Sequence, residues 1–510
     1  MSKRKHVTAL ISCLLAAASV ASGCSTGGSN AGGTASPGTG GKAASDDKGK
    51  APYEINLVYM GNESADIKKV AEAMSKITKE KINATVKLQP ISAGAWSQQT
   101  NLALTSQEKI DVIMASSLYS NFTAQISAGH FIALDELLAK YGKDITKLVD
   151  PAYMNAGKVG GKQYAVPTNK DMATQGGFIM RKDLLDKYKI DVTAIKSYKD
   201  LEPVLATIKK NEPNLLPIAT VTSSTPVDNL PFYDSLVDKL GVLPNNENNF
   251  KVTNLFELPE YAELLKTMRK WYEAGYFSRD AATATEPAAD VVKANKAFGF
   301  FNQMKVGSSE SQSLRTGIEM VAVPMTAPLA MTSSVTNFMH AIPRGSQNPE
   351  KAMMFLNLLY SDKELVNLLN WGIEGTHYVK KSGEVIEYPK GVDVKTVGYN
   401  AGNISFMFGN QFLNYVWPNQ LPDIWKQTDQ FNKNAKKSVA LGFTFDATPV
   451  KTEVGAVNNV LQQFKAGLET GTLDPEKTLP TFISRLQAAG LDKIIAEKQK
   501  QLDQWKASLK

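Results

Sequence analysis

Tyr53-Glu54-Ile55-Asn56-Leu57-Val58-Tyr59-Met60 reads as a β-strand, with apolar Ile55, Leu57 and Tyr59 alternating along it. Gly61-Asn62-Glu63-Ser64 follows as a turn. Ile67, Val70, Ala71, Met74 and Ile77 then recur at helical spacing. Asn83–Gln89 is a second strand, Trp96–Gln107 a second helix and Ile110–Ala115 a short buried strand. Strand, helix, strand, helix, strand argues for an α/β sheet with crossover helices.

The pattern recurs towards the C-terminus. Phe178-Ile179-Met180 reads as a strand, and Arg181-Lys182-Asp183-Leu184-Leu185 opens a helix. Pro259–Ala274 is a helix with Tyr261, Leu264, Leu265, Met268 and Tyr272 on one face; Pro259 suits its first turn and Gly275 its end. Ala297–Phe301 is a short strand. Asn348–Leu359 and Asp362–Trp371 are paired helices, and Leu491–Leu509 closes the chain with Ile494, Ile495, Leu502 and Trp505 on an amphipathic helix. No fixed-period repeat is present.

The chain has 510 residues, 43% hydrophobic and 21% charged. Such values belong to globular proteins, with length for two to four domains at roughly 100–200 residues each. Val7–Val20 is the only long apolar run, so a polytopic membrane protein is excluded; each span needs about 20 apolar residues. Met1–His6 is basic, Val7–Val20 apolar, and Ala21-Ser22-Gly23 precede Cys24, the layout of a secretory signal. Ala21-Ser22-Gly23-Cys24 resembles the lipobox of bacterial lipoproteins, with Ala21 where Leu is more usual. That resemblance makes 1–23 the leader and Cys24 the lipidated residue. An ordinary cleaved signal would leave Cys24 as a lone secreted thiol. Residues 24–52, rich in Gly, Ser, Thr, Ala and Lys, read as a flexible tether that holds a domain off the membrane.

Cys13 and Cys24 are the only cysteines, so the remainder holds neither disulfide nor Cys-based metal site. The net charge of +7 shrinks once Lys3, Arg4 and Lys5 leave with the leader. No basic stripe with interleaved aromatics points to nucleic acid. HExxH, GxSxG, GxxxxGK[ST] and CxxC are absent. His130, His340 and His377 are dispersed and read as structural; Asn245–Asn249 lacks the Asp ligands and Gly of a calcium loop. No catalytic residue, metal or cofactor is expected.

Aromatics and amides near loop tips remain. A sugar offers C–H faces to flat rings and hydroxyls to Asp, Glu, Asn, Gln, Arg or Lys. Trp271, Trp371, Trp417, Tyr119, Phe443 and Phe445 are candidates for stacking. Trp271 extends an apolar helix face and reads as core. Trp371 and Phe445, flanked by polar turn residues, are the stronger candidates.

Several segments carry a family resemblance. They are Asp111–Ala115 with Tyr119 and Gly129–Asp135; Gly161-Lys162-Gln163-Tyr164-Ala165-Val166-Pro167; Ile179–Leu185; Asn348-Pro349-Glu350-Lys351-Ala352 through Tyr360-Ser361-Asp362; and Trp371–Tyr378. In this order they resemble the extracellular solute-binding lipoproteins of carbohydrate ABC transporters, of the large Gram-positive branch with a distinctive C-terminal region. The resemblance implies an α/β, two-lobed, type II periplasmic-binding-protein-like fold with hinge crossovers and a ligand cleft. By this reading 53–167 plus about 340–400 form lobe one, and 168–335 plus about 400–510 lobe two. Crossovers fall near Val166–Asp171 and Val335–Ile342, with a third return near residue 400.

Residue by residue, the resemblance nominates ligand contacts in loops beyond strand ends. They are Asn62 and Glu63; Ser116, Ser117 and Tyr119; Asn169, Lys170 and Asp171; Asn302, Gln303 and Lys305; Trp371, Glu374 and His377; and Phe445 and Asp446. The implied function is capture of a sugar, an oligosaccharide by preference, and its delivery to an ABC import permease. The expected partners are that sugar, the permease and, through the lipid alone, the extracytoplasmic face of the cell membrane; the protein is expected to be a non-enzymatic monomer. The alternatives are a receptor for a peptide or sugar acid, which Lys170 and Lys305 would suit, and an exported enzyme acting on polysaccharide.

Overall fold

The computed structural model describes residues 50–509. The leader, Cys24 and the tether up to residue 49 lie outside the described residues. Residues from Ala51 onward form one compact unit built on two sheets. In chain order the principal strands are β1 (Tyr53–Met60), β2 (Ala84–Ile91), β3 (Val112–Ala115), β4 (Ala165–Pro167) and β5 (Gln175–Arg181). They continue with β6 (Leu216–Ala219), β7 (Ala297–Met304), β8 (Met320–Pro324) and β9 (Met339–Ala341).

The first sheet has the order β2-β1-β3-β9-β4. β1 runs parallel to β2, with Leu57 opposite Leu88, and parallel to β3, with Leu57 opposite Val112. Parallel neighbours need long crossovers, which helices Ile67–Ile82 and Trp96–Thr105 supply. Ile55, Leu57 and Tyr59 enter one core, and Val58 and Met60 the other, so β1 is covered on both faces. Asn83, expected to open the second strand, instead ends the helix in a left-handed conformation (φ 46°). β9 inserts antiparallel between β3 and β4.

The second sheet has the order β8-β5-β7-β6. β5 is antiparallel to β7 and β8, and β7 parallel to β6. Phe178, Phe298 and Phe301 face the large core that also holds Tyr261, Leu265, Met268 and Trp271 of helix Pro259–Glu273. Ile179 and Phe300 face a smaller core on the other side. β7 outruns the strand expected at Ala297–Phe301, so Asn302 and Gln303 lie on its last turnless stretch rather than in a loop.

Two segments cross between the sheets. Residues 168–174 lead from β4 to β5, and residues 325–338 from β8 to β9. The third return differs from the expected one. Tyr399, Ala401, Phe408, Ala435 and Leu441 pack in the first sheet's core, whereas Ala440, Phe443 and Phe445 pack in the second's. The physical reason is local: Tyr399 donates a hydrogen bond to the Leu369 carbonyl (2.6 Å), and Gly409 and Asn410 are bound to residues 169 and 359. Around residue 440 the packing passes from one core to the other, with Ala440 in the second and Leu441 still in the first.

Candidate functional site

The two crossovers meet at a cavity of about 480 Å³. Lys170 and Asp171 reach it from the first crossover, Ser333, Ser334 and Asn337 from the second. Asn302 and Gln303 come from the end of β7, and Lys305 follows. Asp228, Tyr233 and Lys239 form the far wall. An adjoining cavity of about 230 Å³ shares Asp171, Lys305 and Ser311, and adds Gln411 and Trp425.

At the junction, Lys170 is buried and its ammonium donates to the carbonyls of Asp171 (2.9 Å) and Ser334 (3.3 Å), tying one crossover to the other. Asp171 pairs with Lys305 at 2.8 Å and lies 3.8 Å from the Lys170 ammonium. Burial pushes the Lys170 ammonium below its ordinary value. Burial alone would raise the Asp171 carboxyl, but the two ammonium groups outweigh it and hold it below the usual value. Asn169 bonds across to Asn410 (3.0 Å) and so braces the hinge.

A second carboxylate, Asp228, accepts from Lys239 and from Lys465 (2.7 Å). Burial opposes its charge, and Lys465 and Lys239 overcome that and hold its pKa low. The remaining polar lining is hydroxyl and amide, interleaved with Ala173, Pro231, Val237, Met304 and Met331. Gln312 lines the cavity, and its Oε1 is buried with no hydrogen-bond partner. Trp425 lies near-parallel to Phe412 at 6.3 Å, its Nε1 bound to the Asn414 carbonyl (2.7 Å).

The structure thus brings Lys170, Asp171, Asn302, Gln303 and Lys305 into one cavity. Ser117 lines neither cavity; its amide is bound to Thr336 of the second crossover (2.9 Å) and its Oγ is buried without a partner. Tyr119 is 39% exposed and its ring stands 6.0 Å from Phe338, which contacts Phe406 at 4.8 Å. Ser116 is buried, and its Oγ accepts from the amides of Leu118 and Tyr119 (both 3.1 Å), a turn-forming role. Asn62 and Glu63 are exposed on the turn after β1 and line neither cavity.

The late candidates are corrected. Trp371 is 7% exposed and packs with Tyr378 and Ile386 in a satellite core, 5.6 Å from Trp417. Trp417 in turn lies 4.4 Å from Tyr388. Glu374 pairs with Lys380 (3.1 Å) at the surface. His377 is buried; its Nδ1 accepts from the Ile373 amide (2.9 Å), which leaves Nε2–H to donate to Asp66 (3.2 Å). Phe445 is in the second core under the Lys498 ammonium (4.9 Å), and Asp446 caps Thr448 (3.0 Å). Each of these side chains is packed or paired within the fold, while Nε1 of Trp371 is buried without a hydrogen-bond partner. Phe443 and Trp271 are core as well. Among the described residues no group of three His, Cys, Asp or Glu could hold a metal ion. In the Asn245–Asn249 turn, Lys436 pairs with Glu247.

The sequence reading overlooked Ser333, Ser334 and Asn337, the Asp228–Lys239 wall, Gln312 and Trp425. Trp425 carried a usable cue, a tryptophan just after Pro418 and Pro422, in the first turn of helix Ile424–Asn434. The wall carried none, since its charges meet only in the folded chain.

A cleft at the junction of crossovers between two α/β halves defines a two-lobed ligand-binding protein. Residues 61–365 match the bacterial extracellular solute-binding protein family, and residues 439–507 match a domain of unknown function (DUF3502). The chain is 32% identical over 480 residues to a carbohydrate ABC transporter substrate-binding protein of Streptococcus pneumoniae, covering 92% of this chain and 94% of that one. The crystal structure of the N-glycan transport solute binding protein (NgtS) from Streptococcus pneumoniae superposes with a TM-score of 0.80 at 29% identity, covering 90% of this chain and all of that chain. The same relative in complex with Man5GlcNAc gives 0.64 at 29% identity, over 89% of this chain and 98% of that one. The chain belongs to the bacterial extracellular solute-binding protein family. Its fold is the two-lobed α/β fold of that family, and membership implies work outside the cytoplasm.

Proposed function

We propose that the protein is the oligosaccharide receptor of an ABC importer, tethered to the outer face of the cell membrane by lipid on Cys24. Lobe one comprises 53–167 and 339–437, lobe two 168–338 and 438–509. The carrying observation is the cavity where both crossovers, β7 and the Asp228 wall converge. Its hydroxyl and amide lining suits a polyhydroxylated ligand, and Trp425 offers an aromatic face beside it. The transport relatives, one of them solved with Man5GlcNAc, support this choice of ligand class. The lower superposition score with that complex is what movement of one lobe against the other would give.

Binding without turnover fits the electrostatics. A glycosidase keeps one carboxyl protonated as general acid. Asp171 and Asp228 are both held ionised by lysines, so neither is placed to donate a proton. The sugar-acid alternative loses its basis, because Lys305 is paired with Asp171 and Lys170 is buried against carbonyls.

The test is titration calorimetry of the processed protein against a glycan panel that includes Man5GlcNAc. At least one oligosaccharide should bind, and Trp425→Ala should weaken it by about 1–3 kcal/mol. Silence across the panel rules out the sugar reading; release of reducing ends rules out the receptor reading.

A further inference from the structure

The cavity's far wall, residues 225–241, is held in an unusual backbone. Leu236, Val237 and Lys239 all have positive φ (44°, 83° and 65°), and none is glycine. For the β-branched Val237 this region is a genuine outlier. Val237 is also 40% exposed, and Val237 and Lys239 line the cavity. Local strain of this kind persists only where the surroundings over-determine it.

The surroundings here are the C-terminal helices Lys451–Glu469 and Leu491–Ser508, inside the stretch matched by the domain of unknown function. Lys465 bonds to Asp228 (2.7 Å) and to Glu469 (2.7 Å). Glu469 is buried and accepts from Thr225 (2.5 Å) and Tyr261 (3.1 Å). At the other end Lys498, fully buried, pairs with Asp238 and donates to the Gly241 carbonyl (3.3 Å). Gly241 has φ 98°, and a Cβ there would come 2.8 Å from Val252 and 3.1 Å from Ile495. The wall is thus gripped at both ends by two lysines from helices that contribute nothing to the cavity lining. Gln303 then bonds from β7 to the Asp228 carbonyl (3.4 Å), linking the grip to the cavity.

We propose that the C-terminal helical region is a clamp that presets the 225–241 wall for the oligosaccharide, with Lys465 and Lys498 as positioning residues that do not touch the ligand. The proposal rests on the cavity being the sugar site. It assigns the C-terminal region a role in affinity, exerted through the wall.

The test uses the processed protein and three variants: Lys465→Met, Lys498→Met, and Lys498→Met combined with Asp238→Asn, which removes both charges of the pair. Each is read by calorimetry with Man5GlcNAc, by thermal melting and by amide exchange without ligand. The amides of Leu236, Lys239 and Leu240 are hydrogen-bonded and report on the wall. The expected result is at least tenfold weaker binding and at least tenfold faster exchange confined to 225–241, with the melting midpoint kept in the charge-free pair, whereas each single variant leaves a carboxylate unpaired and melts lower. Lys465→Arg should bind as the parent does. Binding within twofold of the parent with unchanged wall exchange overturns the proposal. So does faster exchange throughout the chain with a falling midpoint in the charge-free pair, since that marks ordinary structural support. If the parent takes up no Man5GlcNAc, the oligosaccharide of the panel that binds replaces it; if none binds, the sugar reading fails, and exchange of 225–241 alone still decides the clamp.

Discussion

A carbon placed on Gly402 would sit 1.6 Å from Cζ3 of Trp371, so the indole occupies the space that a side chain at 402 would fill. Trp371 ends a helix between Asn370 and Gly372, a context that suggests an aromatic at a turn. Its actual partners, Gly402 and Trp417, lie far along the chain, beyond the reach of any local pattern. Trp371→Ala should therefore cost about 3–5 kcal/mol of stability, the range for emptying a large aromatic site. Denaturant unfolding would show it, and glycan affinity measured on the folded fraction should stay as in the parent. Lys170, Asp171 and Lys305 went the other way. Their positions just beyond strand ends placed them near the cleft, because open α/β sheets put ligands there. Their mutual pairing was not legible, since sequence carries no angles between loops.

Among the elements, those with strong end signals were readable. Asn348 caps the helix Pro349–Ser361 by accepting from the Lys351 amide (3.1 Å), and Asp362 does the same for Lys363–Trp371 at Leu365 (3.0 Å). β6 and β8 were not, because runs of four or five residues form strands only when neighbouring edges accept them. β9 is another such short element, and it carries a hidden titratable group. His340 is fully buried between Met114 and Val166, and neither ring nitrogen has a partner. Burial lowers its pKa to about 4. The unfolded chain then binds a proton from about pH 6.5 downward while the folded chain stays neutral until about pH 4. Stability contributed by the neutral ring is whole above pH 6.5 and lost as pH falls towards 4. Between pH 7.5 and 4.5 this amounts to about 2–3 kcal/mol. Denaturant unfolding of the parent and His340→Leu at the two pH values should show the variant losing less by that amount; equal losses would mean His340 is not buried neutral.

At the scale of the molecule, the two sheets hold separate cores, and the segments between them are short and braced by polar contacts. The braces include Lys170 to Ser334, Asn169 to Asn410, Asn432 to Lys170 and Met172, and Tyr360 donating to the Pro167 carbonyl. Met172, Ala173, Ala330 and Val335 of the crossovers pack in the first core, so a bend carries the crossovers with that core and moves the second sheet's core against it. The ligand would touch both halves and so favour the bent-in arrangement by its difference in affinity for the two. Two measurements follow from one titration with Man5GlcNAc. The radius of gyration in solution scattering should fall as the site fills, and stability should rise by about 2.7 kcal/mol at 100 times the dissociation constant. A rise in stability without compaction would put the ligand in a preformed cavity and remove hinge closure from the mechanism. Asp171→Asn separates the two effects further. Loss of its carboxylate frees Lys305 and leaves the buried Lys170 with its carbonyl acceptors alone, so the hinge itself should loosen. The unliganded variant should then show a broader distribution of dimensions than the parent before any sugar is added.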